Sequence, residues 1–309
     1  MKTILKNVLA LLLLSGLIYM VNVKELWAAL AQLTLESIFG LALLSVALIY
    51  VSALKWKLFL EYLGSQVSTL RLFLLYLVGY FVNLLMPSYL GGDIVRSWYV
   101  GKKVGQHEAL AATILERYTG IVAMVALAFT CMWFVSLATV QIKFAVVVVA
   151  LGLITITVLA LSPRPMQMLE RYKRLEPVLK NIRKVQDGFQ MVRGNKALLC
   201  KALLLSLLYH SLTVINTVIA AQAVGWEHPP IGDLFVVLPI ILLVGSIPAT
   251  PNGLGIQEGA FYFFLHGLGA TPAQALGVAV VLRAKSYVLA LTGGLAWLSV
   301  RKDAPAKKF

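Results

Sequence analysis

Charge is scarce in this sequence, and negative charge scarcer still. Of 309 residues only 13% are Asp, Glu, Lys or Arg, and 13 acids face 27 basic side chains. A soluble domain carries about 25% charged residues, so water is not the main solvent of this chain. Cysteine is almost missing. Cys131 and Cys200 both fall inside apolar runs, where the residue acts as a small hydrophobe, which excludes a disulfide framework or a cysteine metal site. The four histidines, His107, His210, His228 and His266, have no metal-ligand spacing. No Gly-x-Ser-x-Gly, P-loop or dinucleotide fingerprint occurs. No catalytic residue, metal or cofactor is therefore expected, and His210, inside an apolar helix, reads as a satisfied interior side chain.

What is abundant is hydrocarbon. Sixty per cent of the residues are hydrophobic, and the mean hydropathy is +0.86. Runs at 8–21, 38–54, 119–137, 144–161 and 197–224 approach the roughly 20 apolar residues that a helix needs to cross about 30 Å of hydrocarbon. The net charge of +14 sits mainly in short segments between these runs. It is a topology signal and not a nucleic-acid surface. Ala29, Leu30 and Ala31 could form a signal cleavage site, but Lys24, Glu25 and Trp27 intervene, and a retained first helix is expected.

Basic segments placed in the cytoplasm give a consistent path. Lys2 and Lys6 start inside, the first span exits near Asn22, and the second returns to Lys55, Lys57 and Arg71. The stretch from Leu72 through the Pro87-to-Asp93 turn to Lys102 and Lys103 has basic flanks on both sides, which predicts a re-entrant hairpin from the cytoplasm. Spans at 109–137 and 144–161 lead out and back to a segment rich in Arg and Lys between 162 and 196. This segment is expected to be cytoplasmic, either as a solvated connector or as an amphipathic helix on an anionic lipid surface. After the next span, the loop 225–230 carries no Lys or Arg, and a second broken element, with its turn at Pro251, Gly253 and Gly255, must enter from outside. The last helix ends at Arg301 and Lys302 inside.

The expected fold is an all-α polytopic membrane protein: about six full transmembrane helices plus two re-entrant helical hairpins in an inverted repeat. Residues 1–161 form the first repeat, with its hairpin at about 72–103, and 162–196 form the connector. The second repeat begins at about 144 and continues over 197–300, with its hairpin at about 234–269; 301–309 form a cytoplasmic tail. The repeat shows in Ala109, Leu110 and Arg117, spaced as Ala275, Leu276 and Arg283, and in two Pro/Gly turns that end at Asp93 and Glu258. Inverted repeats with paired broken helices suit secondary transport, with a site near the midplane. The setting is the cytoplasmic (inner) membrane, with both termini in the cytoplasm.

Charges within apolar segments are costly and face a partner or a wet cavity. Asp93, Arg96, Glu116, Arg117, Glu258, Arg283 and Lys285 are such charges. Asp93 or Glu116 with Arg117, and Glu258 with Arg283, can form ion pairs that lock hairpins to helices. The arginines can equally clamp a phosphate bidentately when a substrate enters. The two readings are compatible. Gly91, Gly92, Gly253 and Gly255, with Pro87 and Pro251, mark the tips. Asn83 and Asn252 could line the same cavity or hydrogen-bond a tip.

The pattern Asn83, Pro87, Gly91, Gly92, Asp93 and Arg96, then Glu116 and Arg117, then Pro251, Gly253, Gly255, Glu258 and Arg283, resembles the transmembrane (flippase) region of lysylphosphatidylglycerol synthases, within a wider flippase-like membrane family. The resemblance spans nearly the whole chain. It implies a lipid flippase or translocase with Asp93, Arg96, Glu116, Arg117, Glu258 and Arg283 in a headgroup cavity. The substrate would be a phospholipid, an aminoacyl-phospholipid, a polyprenyl phosphate or a hopanoid-type lipid. The aminoacyl-transferase domain of the full-length synthases has no counterpart within these 309 residues, so lysyl transfer is not expected to carry over. An integral membrane enzyme acting on headgroups, or a partner subunit of a separate lipid-modifying transferase, are the alternatives.

Overall fold

The computed structural model describes residues 2–86, 91–135, 137, 139–161 and 194–302, with positions 176, 179, 183, 186–188, 190 and 192 between them. Pro87, expected from the sequence at a hairpin tip, most of the basic connector and the tail beyond 302 lie outside the described residues.

Regular structure among the described residues is helical throughout, as the apolar runs require, because in lipid a helix satisfies its own backbone. The first helix, α1 (Lys2–Met20), turns by 91° into the short α2 (Val23–Leu30). Asn22 makes this corner: its side chain accepts from the Lys24 amide and donates to Glu25, capping α2. Thr34 caps α3 (Leu35–Tyr62), and Ser68 caps α4 (Thr69–Leu85). Then follow α5 (Gly91–Val104), α6 (Gln106–Cys131) and α7 (Val140–Leu161). Asn195 caps α8 (Lys196–Ala223). A short α9 (Ile231–Gly245), a 3-10 turn (Pro251–Gly253), α10 (Ile256–Gly267) and α11 (Pro272–Lys302) complete the chain.

Five of the described helices, α3, α6, α7, α8 and α11, are long and apolar enough to cross a membrane, and α1 with α2 makes a sixth if that bent pair is one span. With 28 residues each, α3 and α8 reach roughly 40 Å. The paired elements are shorter: α4 has 17 residues, α5 14, α9 15 and α10 12. One expectation changes here. Lys55, read from the sequence as a cytoplasmic flank, lies inside α3, because Trp56, Leu58, Phe59 and Leu60 carry the apolar helix on to Tyr62.

The two short-helix pairs start at opposite ends of the bundle. Lys57 Nζ donates to Thr69 Oγ1 at 3.2 Å, so α4 begins at the Tyr62 end of α3. Ile219, near the end of α8, lies 3.7 Å from where a Gly40 Cβ would sit, and Gly225 packs on Gln32, so α9 begins at the Leu35 end. Two buried apolar clusters hold the bundle. One joins Trp56, Phe59, Leu72, Leu75 and Leu115 to Ala296 and Val300 of α11; the other joins Leu234, Ile241, Phe261 and Val278 to Leu41 of α3. Each cluster thus borrows residues from the far half of the chain, and close packing supplies the cohesion where lipid offers no hydrophobic driving force.

Candidate functional site

Two charged constellations sit where the short helices begin. In the first, the Gly92 amide donates to Asn83 Oδ1 at 2.7 Å, closing the start of α5. Asp93, the third residue of α5, places its carboxylate at the positive end of that helix. Arg117 of α6 grips it with both ends of its fork, Nε to Oδ2 at 2.7 Å and Nη2 to Oδ1 at 2.9 Å. Arg96 Nε adds a bond to Oδ1 at 3.0 Å and, through Nη2, reaches Glu116 Oε2 at 2.5 Å. Glu116 Oε1 in turn meets Lys55 Nζ at 3.4 Å.

Arg117, Asp93, Arg96, Glu116 and Lys55 therefore form one alternating chain of three cations and two carboxylates. Arg96 is only 1% exposed, its guanidinium held 4.4 Å from the Trp56 ring and 4.2 Å from the Tyr76 ring. The ring faces help to replace the hydration it lacks. Arg117, with a side chain 45% exposed, is the open end of the chain.

In the second constellation the turn before α10 uses backbone that L side chains resist: Gly253 at φ +66° and Gly255 at φ +82°, with Asn252 at φ 49°, the tolerated non-glycine. Glu258, the third residue of α10, accepts the Gly255 amide at 2.7 Å with Oε2 and Arg283 Nε with Oε1. Arg283 also donates to the Asn252 carbonyl at 3.0 Å and to Gln257 Oε1 at 3.1 Å. All three of its nitrogens thus hold the turn. Lys6 of α1 donates to the Pro248 carbonyl at 2.7 Å from the other side.

The parallel between the halves is positional. In each, the acid is the third residue of the short helix, and its arginine is the twelfth residue of the following long helix. The glycines differ in use. Gly253 and Gly255 supply positive φ, whereas Gly91 and Gly92 are helical, and Gly92 lies so close to Gly79 that a Cβ would strike the Gly79 carbonyl.

Between the halves lies a cavity of about 130 Å³. Ser45 of α3, Tyr80 of α4 and Tyr209 of α8 meet Glu258 of α10 and Arg283 and Lys285 of α11 on its wall. Its lining includes none of Asp93, Arg96, Glu116 or Arg117, so the acids and arginines singled out in the sequence fall into two groups, and only the second faces this space. Tyr209 lies between them, lining the cavity and presenting its ring to Lys55 Nζ at 5.9 Å. Asn83, near the end of α4, and Asn252, in the 3-10 turn, lie outside the cavity wall.

Sequence reasoning missed Asn216, Tyr209 and Gln257, took Lys55 for a flank, and named Lys285 among the costly charges without assigning it a partner or a ligand. For Lys55 the signal was the apolar stretch continuing beyond it. Lys285 Nζ donates to Asn216 Oδ1 at 2.9 Å and, among the described residues, has no carboxylate within ion-pair distance. His210 bonds the Gly120 carbonyl at 3.0 Å, an interior contact between helices. Among the described residues no group of three His, Cys, Asp or Glu side chains could hold a metal.

A family model described as Lysylphosphatidylglycerol synthase TM region matches residues 4–294. The chain belongs to this family. Its relatives in the family include a UPF0104 membrane protein of Methanothermobacter thermautotrophicus, 23% identical over 94% of this chain and 92% of its own length. A second, from Methanocaldococcus jannaschii, is 22% identical over 86% of this chain and 85% of its own length. Glycosyltransferase AglD of Haloferax volcanii is 31% identical, but over only 35% of this chain and 18% of that protein. No solved structure matches the chain significantly. Membership and the long apolar helices together make this a polytopic integral membrane protein.

Proposed function

We propose that this family member is a lipid translocase. A headgroup enters the polar cavity between the halves while the acyl tails stay in lipid, and the cavity opens in turn to each leaflet. The observation that carries this reading is the cavity itself: polar, charged, walled by both halves and level with the middle of the long helices. Backbone as irregular as residues 246–255 is tolerated at membrane depth only where protein buries it or a wet cavity meets it.

In this reading the short-helix pairs are re-entrant hairpins of an inverted repeat, one from each leaflet, with basic segments and both termini in the cytoplasm. Asp93 with Arg117, and Glu258 with Arg283, are the locks that tie each tip to the helix after it. Arg96, Glu116 and Asn83 brace the first tip, and Asn252 offers its carbonyl to the second lock. Releasing one lock frees one hairpin and opens the cavity towards one side. The basic connector rests on anionic lipid headgroups. Without an ATP-binding fingerprint, movement follows a gradient, a coupled ion or consumption of the lipid downstream.

The test is leaflet exchange of labelled phospholipid in proteoliposomes containing only this protein. Exchange should exceed that of empty liposomes and fall at least about tenfold in Arg117→Ala and Arg283→Ala. No acceleration by the intact protein ends the proposal. The name of the Haloferax relative favours a second reading, in which the membrane helices serve lipid glycosylation or a separate transferase. Altered lipid mass without exchange would select it.

A further inference from the structure

The cavity wall contains more cationic donors than its own acids use. Four of its hydroxyls, on Ser45, Thr213, Thr217 and Ser286, donate back into their own helices, to Leu41, Tyr209, Thr213 and Leu282, and so offer the cavity only acceptor lone pairs. Glu258 is engaged at both oxygens. Arg283 is engaged at all three nitrogens. Besides the hydroxyls of Tyr80 and Tyr209, the wall offers N–H groups. The ammonium of Lys285 has three donors and uses one, on Asn216 Oδ1. The amide nitrogens of Asn216 and of Gln257, whose Oε1 accepts from Arg283, make no bond to described residues.

Lys285 is the fourteenth of the 31 residues of α11 and Ser45 the eleventh of the 28 of α3, so this surplus lies near the middle of the helices. An ammonium there without a counter-charge is costly, and an incoming anion offsets that cost.

We infer that Lys285, braced by Asn216 and flanked by Gln257, binds a phosphate oxyanion, and that the surrounding hydroxyl oxygens accept from hydroxyl groups carried beside it. This rests on the cavity being the headgroup chamber proposed above, and it reassigns the arginines. Arg117 and Arg283 hold the hairpins, while Lys285 holds the substrate. The preferred ligand is a phosphate-bearing headgroup with free hydroxyls, over a neutral lipid with the same tails.

The experiment uses the full-length protein in detergent, titrated with phosphatidylglycerol or with diacylglycerol of matching tails and followed by native mass spectrometry. The intact protein should prefer phosphatidylglycerol at least about tenfold, as one charge-assisted contact implies. Lys285→Met should abolish the preference, Lys285→Arg should retain most of it, and Asn216→Ala, which keeps the charge and removes its brace, should reduce it severalfold. Inorganic phosphate that displaces the lipid would show that the oxyanion alone suffices; phosphate that fails to displace it would assign the site to the intact headgroup.

A phosphatidylglycerol preference unchanged in both Lys285→Met and Asn216→Ala overturns the assignment. Leaflet exchange in the same preparations separates the two claims. Binding through Lys285 without exchange ends translocation and leaves this site standing. Exchange that Lys285→Met leaves at the full rate ends this assignment and leaves translocation standing.

Discussion

Glu116 receives Arg96 on one oxygen and Lys55 on the other, in a setting where its own exposure is 6%. Removing it leaves two cations facing each other without water, which is the costly way to break a buried ion pair. Glu116→Ala should destabilise the protein by about 3–5 kcal/mol, read as a lower melting temperature and lower folded yield in detergent. A melting temperature equal to that of the intact protein would remove Glu116 from the centre of the cluster. At this scale the sequence made the charged residues visible and paired Glu258 with Arg283, but it left the partners in the first group open. Asp93 and Glu116 were equal candidates for Arg117. Adjacent helical residues point about 100° apart, so Arg117 turns to Asp93 while Glu116 turns inward to Arg96 and Lys55.

Elements were easier to read than contacts. Apolar run length follows from local chemistry, and the helix ends at 161 and 223 fall within one residue of the expected 161 and 224, whereas α6 stops at 131, short of the expected 137. The corner at Asn22 was not legible, since an Asn that caps a helix and an Asn in a loop have the same neighbours in sequence. Nor was the role of Gly92, which depends on α4 crossing α5 at Gly79. Gly92→Ala should cost about 1–3 kcal/mol through overpacking of that crossing and should also depress leaflet exchange. Gly152→Ala, where a Cβ would meet nothing within 4 Å, should be neutral or stabilising by up to about 1 kcal/mol. Equal melting temperatures for the two variants would show that the crossing is looser than this packing implies.

For the whole molecule, orientation is the property that charge placement assigns and helices alone do not. Single cysteines at Gly194 and Glu227, with Cys131 and Cys200 replaced by Ser, test it. Glu227 is preferable to Gly225, whose φ of +83° and contact with Gln32 would strain a side chain. Residue 227 should label from outside intact cells, and residue 194 only after permeabilisation. The reverse pattern would overturn the basic-inside orientation. The interlocking of the halves, with Trp297 of α11 donating to the Tyr99 hydroxyl of α5 at 2.9 Å, is a property of this scale that no local reading gives.

By itself the sequence determined that the chain lives in a membrane, where its apolar runs lie and which of its charges are out of place there, because hydropathy and charge act on the residues that carry them. Tertiary structure alone decided which acid Arg117 meets, that the charges divide into two groups, and that Lys285 faces the cavity with, among the described residues, no carboxylate within ion-pair distance. The reason is that an ion pair or a cavity wall forms where the faces of distant helices meet, and those faces are set by packing across the whole bundle.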